Sequence, residues 1–200
     1  MANYISDRAF TNYIHNNVAI PKIYNPINWE KHNIDPDELE RLDINEGIDY
    51  VFKDNQGNIK TIQERFRESK YQRYTDFTIR YRRDNNTHAA RVESEYYKMN
   101  AKYFTYGITN CLKTGDLGSC TDFLKYAIID LEKVYAKIDE GSIVIRDNGR
   151  NFCRIIEGNK IECPVKYNRD GSSSFFPIDI AQLVQLWGTE MVIAQKGFLI

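Results

Sequence analysis

Residues 47–67 read GIDYVFKDNQGNIKTIQERFR, and this stretch decides the fold. Ile48, Tyr50 and Phe52 alternate with Asp49, Val51 and Lys53, which is the two-residue period of a strand. Asp54-Asn55-Gln56-Gly57-Asn58 concentrates turn-forming residues. Residues 59–67 then read as a return strand, so 47–67 is expected to be a hairpin.

Working outward, residues 76–83 (DFTIRYRR) and 102–109 (KYFTYGIT) are further strands, with residues 93–101 (ESEYYKMNA) expected as a helix between them. Asn86, Thr87 or Ser94 would cap that helix. Upstream, residues 6–17 read as a short helix capped by Ser6 or Asp7, with Phe10, Tyr13 and Ile14 on one face. His15 falls at its end as a helix-terminus histidine. Pro21 and Pro26 bracket an irregular segment. Asp35 followed by Pro36 opens a helix to about Leu42.

Downstream, residues 121–138 (TDFLKYAIIDLEKVYAKI) carry apolar side chains at helical period behind Thr121. Residues 142–146 and 151–157 suggest a hairpin around Asn148-Gly149, and 160–167 a further strand. Residues 173–180 form a strand in which Pro177 predicts an edge or a bulge. Residues 180–188 close as a short helix. Interleaved strands and helices define an α/β or α+β fold in one domain, with its core at about 43–110 and a β-rich part at about 140–180.

Composition bounds the function. Of 200 residues, 42% are hydrophobic and 13% aromatic, which excludes a disordered chain. No run of apolar residues is long enough for a membrane span, and MANYISDRAF lacks the apolar stretch of a signal peptide. A cytoplasmic protein with no membrane partner is the expectation. Cys111, Cys120, Cys153 and Cys163 are then expected as free thiols, and their spacings fit no zinc pattern.

The net charge of −1 hides a division. Residues 30–54 carry nine acids against three bases, and residues 60–83 carry eight bases against three acids. Tyr71, Tyr74, Phe77 and Tyr81 interleave with the bases, a pattern suited to phosphate contact and base stacking. Arg67, Lys70, Arg73, Arg80 and Arg82 are the candidate nucleic-acid contacts. Pairing of the acidic stretch with the basic one on the surface would account for the same charges.

Two acids on neighbouring strands can converge on one divalent cation, for which carboxylate oxygens are suitable ligands. Gly47-Ile48-Asp49, a hairpin, and Ile62-Gln63-Glu64-Arg65 together resemble the core of the PD-(D/E)xK, or restriction-endonuclease-like, nuclease superfamily. The resemblance extends through Glu95-Tyr96-Tyr97-Lys98 to Tyr106-Gly107. It implies a restriction-endonuclease-like core, a mixed central sheet flanked by helices, and a metal-dependent endonuclease that hydrolyses DNA phosphodiesters. A type II restriction enzyme or a phage or mobile-element nuclease would fit.

By that resemblance Asp49 matches the metal-binding Asp, Gln63 the Glu/Gln, and Arg65 the usual Lys, while Lys98 is the basic residue offered by the helix. The cofactor implied is Mg²⁺ or Mn²⁺, held by Asp49 with Gln63, Glu64 or Asp76. The partner implied is DNA, with RNA as the alternative polymer, and a homodimer would supply the two sites needed for a double-strand cut.

The match departs at Arg65, since arginine does not give up its proton and cannot serve as general base. Strand alternation puts Gln63 and Arg65 on one face and Glu64 on the other, so a bulge would be needed to bring Glu64 to the metal. A catalytically silent binding module on the same scaffold, and a structural or partner-binding protein, are the alternatives.

Overall fold

The computed structural model describes residues 2–82, 94–169 and 173–199, with side chains from Arg8 onward. Helix α1 (Ala2–Ile14) starts upstream of Ser6 and Asp7, so neither is its cap. It continues without a break into a π-helical segment, His15–Tyr24, with Pro21 inside it. Strand β1 (Glu30–Lys31) leads to α2 (Pro36–Glu46), whose Asp35 cap accepts from the Asp37 N–H at 3.0 Å. Helix α2 stops at Gly47, which is left-handed at φ +61°.

The expected hairpin forms as β2 (Tyr50–Lys53) and β3 (Ile59–Arg67), antiparallel with Tyr50 opposite Ile62. Strand β4 (Asp76–Arg82) follows the alternating pattern. Arg83 and the candidate caps Asn86 and Thr87 lie outside the described residues. The helix expected over 93–101 is a single turn, α3 (Glu95–Lys98), because Met99 is already extended. Strand β5 (Tyr103–Thr109) follows as read.

The helix expected over 121–138 is instead a strand followed by a helix, β6 (Phe123–Asp130) and α4 (Leu131–Asp139). Ala127, Ile128 and Ile129 are all fully buried, since β6 is covered on both faces and paired on both edges. A strand buried on two faces loses its alternation and can mimic helical period. The cap is Asp130, which accepts from the Lys133 N–H at 3.2 Å, and not Thr121.

Strands β7 (Ile143–Arg146) and β8 (Arg154–Ile156) do not pair with each other. Both flank β9 (Lys160–Pro164), β7 in parallel and β8 antiparallel. The reversal sits at Gly158 and Asn159, which are left-handed at φ 81° and 55°. Strand β10 (Lys166–Tyr167) pairs with β11 (Ser174–Asp179), which pairs in turn with β4. Pro177 needs no ladder partner on its outer side, because β10 reaches only as far as Phe175. Helix α5 (Ile180–Trp187) and a strand unread in the sequence, β12 (Val192–Lys196), complete the chain.

The fold is mixed α+β. Its central sheet runs β1-β2-β3-β5-β6-β12, with β3 and β5 parallel and the other neighbours antiparallel. Strands β10-β11-β4 and β7-β9-β8 form two smaller sheets. One face of the central sheet packs Ile62, Phe66, Tyr103 and Phe123 against Phe10, Ile14, Val18 and Tyr24. The other packs Phe104, Tyr106 and Ile108 against Phe77, Ile79, Phe176 and Ile178 of the β4–β11 sheet, with Leu131, Val134 and Leu183 from α4 and α5. On the first face a Cβ at Gly107 would stand 2.5 Å from the Phe123 ring, so only glycine lets that ring close over β5.

Cys111 and Cys120 are joined in a disulfide, which corrects the expectation of four free thiols. The loop between β5 and β6 returns their Cα atoms to 5.1 Å, within bridging range. Cys153 and Cys163 keep their thiols, with the sulfurs 3.8 Å apart. Among the described residues no helix is long and apolar enough to cross a membrane.

Candidate functional site

Asp49 stands between Gly47 and the first residue of β2, and its carboxylate accepts from the Glu64 main-chain N–H at 2.7 Å. Burial pushes its carboxyl well above the usual range. The Glu64 N–H opposes that shift, while the nearby acids Asp43, Glu64 and Glu95 add to it. Continuing the β2–β3 register by one residue sets Asp49 opposite Gln63. The amide oxygen of Gln63 lies 3.5 Å from where a Cβ on Gly47 would be, so glycine leaves room beside it.

Arg65 lies two residues along β3 from Gln63, on the same face. Its guanidinium pairs with Glu95 and donates to the Thr78 main-chain oxygen. Glu95 is 7% exposed, and its Oε1 has no hydrogen-bond partner. A buried carboxylate with an idle oxygen is uncommon, and the charge of this one adds to the upward shift of Asp49. The sequence reading placed Glu95 within the helix of the resemblance and did not name it as a site residue.

Glu64 takes the opposite direction from its neighbours, as alternation requires. It is buried, and both carboxylate oxygens lie 3.0 Å from His15 Nδ1. Tyr24 donates its hydroxyl to Oε1 at 2.5 Å and lies 2.9 Å from Thr105 Oγ1. Lys31 Nζ meets His15 Nε2 at 3.1 Å, which makes Nε2 the acceptor and leaves the ring proton on Nδ1, facing Glu64. His15 also stacks on Tyr50 at 3.4 Å between ring centroids. No bulge turns Glu64 toward Arg65, and its contact with Asp49 is made through the main chain.

The π-helical winding explains how one segment supplies both partners. His15 and Tyr24 are nine residues apart, about 900° of α-helix, which would set them on opposite sides. The wider i→i+5 winding turns roughly 80° per residue, so nine residues make about two full turns and both side chains share a face.

The remaining candidates disperse. Lys98 donates to the main-chain oxygens of Asp43 and Ile44 at 3.0 and 2.6 Å, closing the C-terminal end of α2. Asp76 lies on β4, outside the central sheet, opposite Asp179 in the ladder. Burial and Asp179 push its carboxyl up to about 6, with Arg67 pulling the other way. Lys70 is paired with buried Glu68. Arg80 and Arg82 follow Asp76 and Thr78 along one side of β4 and are exposed where Thr78 is buried, and Arg82 stacks on Tyr81 at 4.6 Å.

Arg67 and Arg73 open on a cleft of about 670 Å³ that also takes in Asp76. The acidic and basic stretches do not simply neutralise each other. Their one direct ion pair among the described residues is Lys60 to Asp54 at 3.1 Å, while Arg41 pairs with Glu38 inside the acidic stretch.

Among the described residues no three His, Cys, Asp or Glu side chains stand close enough to form a metal shell by themselves. Three such side chains are more than some cations require. Mg²⁺ is commonly held by one or two carboxylates, with water and phosphate oxygens completing its shell. Asp49, Glu95 and the Gln63 amide are hard oxygen donors of that kind. Comparison with known protein families, with curated proteins and with solved structures finds no match for this chain.

Proposed function

We propose that this protein is a metal-dependent nuclease with a restriction-endonuclease-like core, hydrolysing the phosphodiester bonds of DNA. The observation that carries this reading is the surrounding of Asp49. A buried carboxyl stands among Asp43, Glu64 and Glu95, with a partnerless Glu95 oxygen nearby. Arg65 offsets Glu95, and the negative charge that remains is costly unless a further cation or protons offset it.

Asp49 and Glu95 would hold Mg²⁺ or Mn²⁺ with help from Gln63. The bound ion supplies Lewis-acid polarisation of the phosphate and a more acidic water. Gln63 would orient the attacking water. Arg65 is fixed by Glu95 and the Thr78 carbonyl, and it would hold a phosphate oxygen rather than take a proton.

The purified protein with Mg²⁺ or Mn²⁺ is expected to nick or cut DNA, and Asp49→Asn is expected to abolish this while the protein stays folded. Wild-type protein that leaves duplex DNA, single-stranded DNA and RNA intact with either metal would remove the enzymatic reading. A second reading, binding without cleavage, is favoured by one observation. Lys98 is committed to the end of α2 and Arg65 to Glu95, so neither supplies a free base for proton transfer. Salt-sensitive nucleic-acid binding in the absence of any cutting would select it.

A further inference from the structure

The 670 Å³ cleft lies where β3, β4 and β11 meet the loop between β7 and β8. Its size is that of a small-molecule site. Three cations line it: Arg67, Arg73 and Lys166. Some bases of this chain are matched to acids, as in Arg65–Glu95, Lys102–Glu132 and Lys196–Asp122, while others, such as Lys98 and Lys133, meet main-chain oxygens. The three cleft cations belong with the second group in having neutral partners. Arg67 donates to Thr78 Oγ1 at 3.0 Å and Arg73 to the Tyr74 hydroxyl at 3.2 Å. Lys166 donates to Arg150 O at 3.0 Å and Asn151 Oδ1 at 2.6 Å. Among the described residues none of the three has a carboxylate within 4.0 Å, and the one acid lining the cleft, Asp76, interacts with Arg67 from beyond that distance, so three cations face one carboxylate.

Aromatic rings accompany the cations. Arg67 lies over Tyr71 at 5.2 Å and Arg73 over Tyr74 at 5.1 Å, with the two tyrosine rings 6.1 Å apart. Phe152 is 69% exposed at the lip, and Phe175 lines the wall from β11. A wet phenylalanine in a cleft with three bases and one acid suits a ligand that is flat and anionic. Asp76 gives the cleft one carboxylate that can accept from an amino group on that ligand. Beside the lip, Arg146, Arg150 and Arg154 share the single carboxylate of Glu162, at 3.5, 3.6 and 3.0 Å, so positive charge continues past the cleft.

We propose that this cleft binds a single nucleotide, its base against the tyrosine and phenylalanine rings and its phosphate held by Arg67, Arg73 and Lys166. The nucleotide comes either free or as an unstacked unit of a single strand, since both present the same chemistry. The inference stands apart from metal chemistry at Asp49, because none of these residues belongs to that site.

The test is equilibrium binding by fluorescence anisotropy with wild-type protein in EDTA, where metal-dependent cleavage is silent. The probe is a labelled 12-nucleotide single strand, compared with its duplex and with an abasic strand of the same length, and with AMP and inorganic phosphate as competitors. The single strand is expected to bind at least tenfold more tightly than the abasic strand. Phe152→Ala, at an exposed position that folding does not need, is expected to weaken it roughly tenfold, as loss of base stacking does. Lys166→Ala is expected to reduce the slope of log K against log salt by roughly 0.7.

AMP competing far better than phosphate, with the strand binding no more tightly than AMP, would identify the free nucleotide as the source. Equal binding of the abasic strand, equal competition by phosphate and AMP, or no effect of Phe152→Ala would overturn the proposal. Cleavage in Mg²⁺ without this binding would overturn it while leaving the nuclease reading intact, and binding without cleavage would do the reverse.

Discussion

Glu64 and Arg65 are consecutive residues of one strand, and they belong to two different kinds of polar structure. Glu64 points into the face covered by α1 and the π-helical segment. There His15 and Tyr24 satisfy its oxygens, and both partners are fully buried. Arg65 points to the other face, into a chain of charges that stays incomplete. Glu95 keeps one oxygen unpaired, Asp49 is held among acids, and Arg67 faces a cleft. A satisfied buried network stiffens a fold, whereas an incomplete one costs stability and is the usual mark of a site. The difference assigns support to the first face, and the nuclease proposed above would place its chemistry on the second.

The largest effect that could break this contrast is expected at Glu64. Glu64→Ala would leave His15 and Tyr24 buried without their acceptor, at a cost of about 3–5 kcal/mol. Urea unfolding measures it, and a loss below about 1 kcal/mol would mean that the closed face is not closed. Next comes the disulfide on the same face. Replacing Cys111 and Cys120 by alanine should cost roughly 2.5 kcal/mol from the short loop they close, whereas Cys153→Ala should change little.

The opposite sign is expected at Asp49. Its carboxyl is raised in the folded chain, so folding is penalised once pH exceeds the ordinary carboxylate range and the unfolded chain ionises. Asp49→Asn should therefore raise the melting temperature at pH 7, and raise it less at pH 4, and on the proposed nuclease reading it should also remove cleavage. A variant less stable than wild type at pH 7 would show Asp49 to be structural.

Asp76 sharpens the contrast at the smallest scale. With a folded value of about 6, wild-type protein should lose stability between about pH 4 and pH 6 relative to Asp76→Asn, and the difference should level off above that. Paired denaturation curves across this range measure it.

Much of this was legible in the chain. Alternation found β2, β3 and β4, the Asp35-Pro36 start of α2 was visible, and alternation also put Gln63 and Arg65 on one face of β3. What stayed hidden depends on contacts distant in sequence. Glu64 finds His15 and Tyr24 from 49 and 40 residues away. Lys166, Phe152 and Phe175 reach the Arg67 cleft from the far third of the chain, with no local signal to link them. Residues 123–130 misread because a strand buried on both faces carries no alternation. The cysteines misread because a spacing of nine gives no sign of a loop that folds back on itself.

The π-helical segment also bears on how this gene can vary. His15 and Tyr24 meet Glu64 together only while the segment keeps its wide winding. Losing one in-frame codon there would shorten their spacing and turn the whole N-terminal helix by roughly a quarter-turn or more relative to the sheet. Point substitutions along that stretch change one contact each, but a deletion would misalign every residue before it. Related chains should therefore tolerate exchanges between residues 15 and 24 far better than changes of length.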